Sequence, residues 1–142
     1  MYTNILVALD GSGAGQRAFE RALDLARAGD ARLHAIYVVE TGLFSSLPTD
    51  NTVELMYNVL RKEGDMVLDK AKTEAAARGV TLTTHLKFGH AGSEVIALAE
   101  KNKSDLLVVG SHGKSQTDRL LIGSVSTFVV THSKVSTLVV RS

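Results

Sequence analysis

A chain of 142 residues, 44% hydrophobic and 22% charged, has the length and composition of a single globular domain able to bury about two-thirds of its unfolded surface. Its 16 basic and 15 acidic residues are interspersed and leave a net charge of +1, giving no cationic face for nucleic acid, and the lack of cysteine excludes disulfides, thiolate metal sites and thiol catalysis. No apolar run approaches the roughly 18 residues of a membrane span, and the opening MYTNILVALD leads directly into a strand instead of a secretory core. A cytoplasmic protein without membrane contact is expected.

Residues 5–9 form the first apolar run and end in Asp10, followed by Gly11, Ser12, Gly13 and Gly15. Ser12 is placed to cap a helix whose apolar face carries Ala18, Phe19, Ala22, Leu23 and Ala26. Gly29 ends that helix, and residues 32–40 read as a second strand, so the unit is a right-handed βαβ with parallel strands. Residues 41–51 hold the only proline and no periodicity. This long loop is expected to move, with Leu43, Phe44 and Leu47 packing on the domain, covering a site or docking on a partner. Asn51 and Glu54 have capping-box spacing. The helix after them carries Val53, Met56, Leu60, Val67, Ala71 and Ala75 on one stripe, with a bend expected at Gly64.

Past Gly79, residues 80–88 alternate, with Val80, Leu82, Leu86 and Phe88 apolar, as in an edge strand. A turn over 89–93 leads into a short helix, 94–102, with Val95, Ile96 and Ala99 inward. Residues 106–109 are a buried parallel strand by length and β-branching. Residues 120–132 favour strand locally, but Leu121, Val125, Phe128 and Val129 share a helical face, and a parallel sheet needs a crossover there. The last run, 135–141, starts at Val135 and ends at Arg141. The pattern is βαβαβαβαβ, five parallel strands with helices on both faces.

The stretch from Asp105 to Val130 carries the chemistry. Gly110 and Gly113 are separated by two residues, Gly113 and Gly123 by nine, and Ser124 follows directly. A helix starting at Ser124 to Ser126 would aim unpaired N–H groups and the positive end of its dipole at the space beside the glycines, which suits a phosphate. Lys114, Arg119 and His112 bring further positive or polar groups. The plain alternative is that glycines, 12 in the chain, simply make turns. Three better-known motifs fail. A Walker loop would need glycine where Val108 stands, a dinucleotide fingerprint would need it at Gln16, and a receiver domain would need an aspartate where the chain reads Phe88, Gly89, His90.

Gly-x2-Gly-x9-Gly-Ser after the fourth strand resembles the nucleotide-binding signature of the universal stress protein family, and the resemblance runs from ILVALDGS to the final LVV. It implies an open α/β sheet of strand order 3-2-1-4-5, Rossmann-like and similar to the adenine nucleotide alpha hydrolases, whose switch point between strands 1 and 4 holds Asp10 and Gly110. It also implies ATP, with magnesium. Carried over by position, Gly110, Ser111, His112 and Gly113, next to Val109, would line phosphates and ribose. Gly123, Ser124, Val125 and Ser126 would donate to the β- and γ-phosphates. Asp10 would face the ribose or a phosphate-bound magnesium, and Val38 would meet adenine by its backbone, flanked by Ala8 and Leu9. Without a nucleotide, Asp10 would serve the first helix and Val38 the core. Family members form homodimers edge to edge through the last strand, here 135–141, whose β-branched residues suit such pairing.

Hydrolysis would need a base near the γ-phosphate, for which His112, Asp118 and Asp10 are the candidates. His34, His85, His90 and His132 show no ligand spacing. The function the resemblance implies is an ATP-dependent sensor or switch in a stress response, presenting its surface to an unidentified protein partner. A slow ATPase or phosphotransfer enzyme and a nucleotide-free dimeric scaffold are the alternatives.

Overall fold

The short β-branched runs and the amphipathic stretches alternate in the computed structural model as β1 (Asn4–Leu9), α1 (Gly13–Gly29), β2 (Arg32–Glu40), a 3-10 turn (Thr41–Phe44), α2 (Asn51–Ala77), β3 (Leu82–Gly89), α3 (Ala91–Lys101), β4 (Leu106–Gly110), α4 (Ser124–His132) and β5 (Ser136–Val140). The structure describes residues 1–44, 51–112 and 123–141. The five strands are parallel and lie in the order β3-β2-β1-β4-β5. A strand buried on both faces reads as a continuous apolar run, and central β1 does so, with Ile5, Leu6 and Val7 fully buried. Side chains of successive residues alternate between the faces. Val7, Leu33 and Val108 therefore pack with Phe19 and Leu23 of α1 and Leu68 and Ala71 of α2. Leu6, Ile36 and Leu107 pack with Val95 of α3 and Val129 of α4 on the other face. Each such side chain fully buried contributes about 1.5–3 kcal/mol before entropy is counted.

Local signals set the helix ends. The Ser12 hydroxyl accepts from Gly15 N–H at 3.0 Å, capping α1, and Asp30, in the left-handed conformation, closes it by donating its N–H to Ala26 and Arg27 carbonyls. The third helix begins at Ala91, ahead of the expected residue 94. Its cap is His90, whose ring accepts from Ser93 N–H at 3.2 Å, and Leu98 joins Val95 and Ala99 inside. Asn51 is the first described residue of α2, and residues 45–50, Leu47 among them, lie outside the described residues.

Helix α2 is one unbroken run from Asn51 to Ala77, with Gly64 inside it. Gly64 is buried because β2 and β3 crowd it. A Cβ there would lie 2.6 Å from both Tyr37 Cδ1 and Leu86 Cδ1. The inward stripe accordingly runs through Val53, Gly64, Leu68, Ala71 and Ala75, and Met56, expected inside, is 37% exposed. As expected, β3 is an edge strand, but both of its faces are partly exposed and Phe88 is 44% exposed. Of the ambiguous segment 120–132, residues 124–132 are helical and bury Val129.

The start of β1 is fastened to the start of β4. The Asp105 carboxylate accepts from Thr3 N–H at 2.9 Å, Asn4 N–H at 3.0 Å and the Thr3 hydroxyl at 3.1 Å. Burial pushes this carboxyl up, but those hydrogen bonds outweigh it and hold its pKa below the ordinary value. Among the described residues no helix is long and apolar enough to cross a membrane.

Candidate functional site

Because β2 lies on one side of β1 and β4 on the other, the connections diverge above the carboxyl ends of β1 and β4, which opens a crevice. A cavity of about 660 Å³ occupies it. Ala8, Leu9 and Asp10 line it from the end of β1, Val38 from β2, Val109, Gly110 and His112 from the end of β4, and Gly123, Ser124, Val125 and Ser126 from the start of α4. The structure thus gathers eleven of the thirteen expected site residues around one space. Gly113 lies outside the described residues, as do Lys114, Asp118 and Arg119.

Ser111 does not line the cavity. It is buried, its N–H donates to the Val140 carbonyl at 2.9 Å and its own carbonyl accepts from Gly123 N–H. Its hydroxyl meets His112 Nδ1 at 3.2 Å. Ser111 therefore braces the cradle, tying β4 to β5 and to α4. Gly123 lines the cavity, and its N–H donates to the Ser111 carbonyl. The Ser126 hydroxyl donates to the Gly110 carbonyl. What α4 offers the cavity is its first-turn N–H groups at Ser124, Val125 and Ser126, which have no acceptor within the helix, at an N-terminus whose cap, Gly123, supplies no side-chain bond. The N-terminus of a helix attracts anions through these donors and the dipole.

Gly110 is required for close approach, not for an unusual φ. A Cβ there would lie 2.8 Å from the backbone carbon of Ala14 and 2.9 Å from its oxygen, so the first turn of α1 rests against the end of β4. Gly11, at φ 84°, makes the turn that side chains resist. Across that turn Asp10 Oδ1 accepts from the N–H of Ser12 at 2.9 Å and from its hydroxyl. Asp10 thus orders the α1 cap, as the reading without a nucleotide expects, and also lines the cavity. Among the described residues no three His, Asp or Glu side chains converge as a metal site.

The opposite end of the cavity is apolar, walled by Ile36 and Val38 of β2 and Ala91 and Val95 of α3. Sequence reasoning missed eight of the lining residues, Ile36, Ala91 and Val95 among them, and also Tyr37, Leu60 and Glu40. Tyr37 is mostly buried, and burial, then the neighbouring Asp10 charge, raises its phenol pKa, so it stays a hydrogen-bond donor at neutral pH. Leu60 reaches the cavity from α2. Glu40 ends β2, and its Oε2 accepts from Ala91 N–H at 3.0 Å. The signal for Glu40 was present in the chain, as the one charged residue closing an otherwise apolar strand end.

The model of the universal stress protein family matches residues 1–141. A universal stress protein of Methanocaldococcus jannaschii is 36% identical over 141 residues, covering 99% of this chain and 83% of that protein. Among solved structures, the universal stress protein UspA from Lactobacillus plantarum aligns with a TM-score of 0.91 at 27% identity, over 99% of this chain and 98% of its own. A universal stress protein in complex with cAMP aligns with a TM-score of 0.74 at 30% identity, over 99% and 97%.

Proposed function

The chain belongs to the universal stress protein family, and from that premise we propose that the crevice is an adenine-nucleotide site, with ATP and its magnesium as the expected ligand. The observation that carries this reading is the pairing of two ends in one cavity. One end is the uncapped N-terminus of α4, suited to phosphate, and the other is the apolar wall of Ile36, Val38, Ala91 and Val95, suited to a flat base. The relative in complex with cAMP supports the same ligand class. Asp10, at the middle of the crevice, serves ribose or the magnesium on the phosphates.

In this reading the protein is a cytoplasmic, nucleotide-dependent switch in a stress response. It acts as a homodimer through β5, which is an edge of the sheet and has the β-branched backbone template that edge pairing uses. The test is direct. Freshly purified protein is denatured, released nucleotide is identified by ion-exchange chromatography, and the emptied protein is titrated with ATP, with and without magnesium, by calorimetry. Bound or rebinding adenine nucleotide supports the site, and release of ADP points to turnover at His112 or Asp10. A protein that holds no nucleotide and takes up none when it is added refutes the assignment.

A further inference from the structure

We propose that Glu40 reads the exocyclic amine of the base, so that the site selects an amino-bearing purine over one lacking that group; the proposal rests on the nucleotide reading above. Alternation along β2 puts residues 36, 38 and 40 on one face. Ile36 and Val38 form the apolar wall, and Glu40 ends it as the only charged side chain at that end of the cavity among the described residues.

The carboxylate does not swing free. One oxygen, Oε2, accepts at 3.0 Å from the N–H of Ala91, the first residue of α3. The cap of α3, His90, spends its ring on Ser93, so Glu40 is the group that serves the first N–H and meets the positive end of the helix dipole. A carboxylate offers acceptors only. A ligand edge seated beside it on an apolar wall has to bring a donor, or the carboxylate loses water for nothing. With the phosphate end held by Ser124 to Ser126 across the crevice, the edge that faces Glu40 is that of the base, and the amino group of adenine supplies the donor.

The full chain, stripped of nucleotide, is titrated with ATP and with purine riboside 5′-triphosphate, which lacks only the amine. The expected result is binding of the analogue weaker by roughly ten- to a hundredfold, the effect of losing a hydrogen bond to a charged group. In Glu40→Met, which keeps the length and removes the acceptor, the ratio falls to about one, from the same loss. In Glu40→Gln, which keeps the bond to Ala91 and protects the fold, it takes an intermediate value.

Equal affinity of the wild-type protein for the two nucleotides overturns the role of Glu40 while leaving the nucleotide site intact. An unchanged ratio in either variant does the same, as does a loss that follows 2′-deoxy-ATP in place of the deaminated analogue. Failure of wild-type protein to bind either nucleotide removes both proposals together.

Discussion

Replacing Gly64 by alanine tests how the sheet and α2 meet. In an ordinary helix interior the change is stabilising by about 1 kcal/mol, because glycine loses more backbone freedom on folding. Here the added methyl would lie 2.6 Å from Tyr37 Cδ1 and Leu86 Cδ1 and 2.9 Å from Tyr37 Cε1. Carbon atoms rest about 3.5–4.0 Å apart, so the two neighbours would have to retreat by roughly 1 Å. Tyr37 is 7% exposed and has no open side to move into except the cavity it lines.

Overpacking of this kind costs about 1–3 kcal/mol. Set against the propensity gain, the net is a loss of about 1 kcal/mol, or a melting temperature lower by roughly 2–5 °C. Thermal and urea unfolding followed by circular dichroism measure it. Gly13→Ala is the control, since its methyl would meet only the Arg17 guanidinium at 3.6 Å, and it should be neutral or stabilising. A Gly64→Ala protein that melts higher than the wild type would refute the reasoning.

At Gly110 the obstacle is the Ala14 backbone, which cannot rotate away, so Gly110→Ala should cost about 2 kcal/mol or more; an unchanged urea midpoint would count against the close approach. Ser12→Ala removes the α1 cap and should lower stability by about 1 kcal/mol, with Ser12→Asp recovering most of it in the same assay. His34 Nδ1 and His85 Nε2 are 3.0 Å apart. Burial lowers both pKa values below 6.5, helped by Arg32 at His34 and by His34, Lys87 and Lys101 at His85. The unfolded chain takes up these protons first, so the pair's contribution is complete above pH 6.5 and is lost as pH falls through the lower folded values. Urea midpoints across that window should fall with pH in the wild type and fall less in a His34→Gln, His85→Gln protein. Equal slopes would dismiss the pair as the cause.

Strand positions were legible because buried parallel strands announce themselves as short β-branched runs. Residues 32–40, read as a strand, are β2 itself, and Ser12 caps α1 as its side-chain chemistry requires. The strand order came from family resemblance, since periodicity cannot choose among parallel orders. What stayed hidden has physical causes. Gly64 has no side chain, so a stripe counted by apolar residues steps over it and picks Met56 in place of Leu68. His90 caps through a ring nitrogen, a donor-acceptor pattern that composition does not flag. Ser111 stands in the motif, which does not announce that its backbone pairs with Val140 and Gly123. The Asp105 bonds to Thr3 and Asn4 join residues about a hundred positions apart, beyond the reach of any local pattern.

The strand order also divides the sheet into an amino-terminal half, β1 to β3, and a carboxyl-terminal half, β4 and β5, whose strands are hydrogen-bonded along a single seam. The ladder across it runs only from Ile5–Leu106 to Val7–Val108, half as long as the ladder joining β1 to β2. Asp105 buttons the seam at its lower end, and the crevice holds it apart at the upper end. A molecule seated between Val38 and Ser124 would touch both halves and close the upper end as Asp105 closes the lower. Occupancy would then be felt as resistance to parting the halves, slowing amide exchange along β1 and β4 more than in β3, whose ladder to β2 lies wholly within one half.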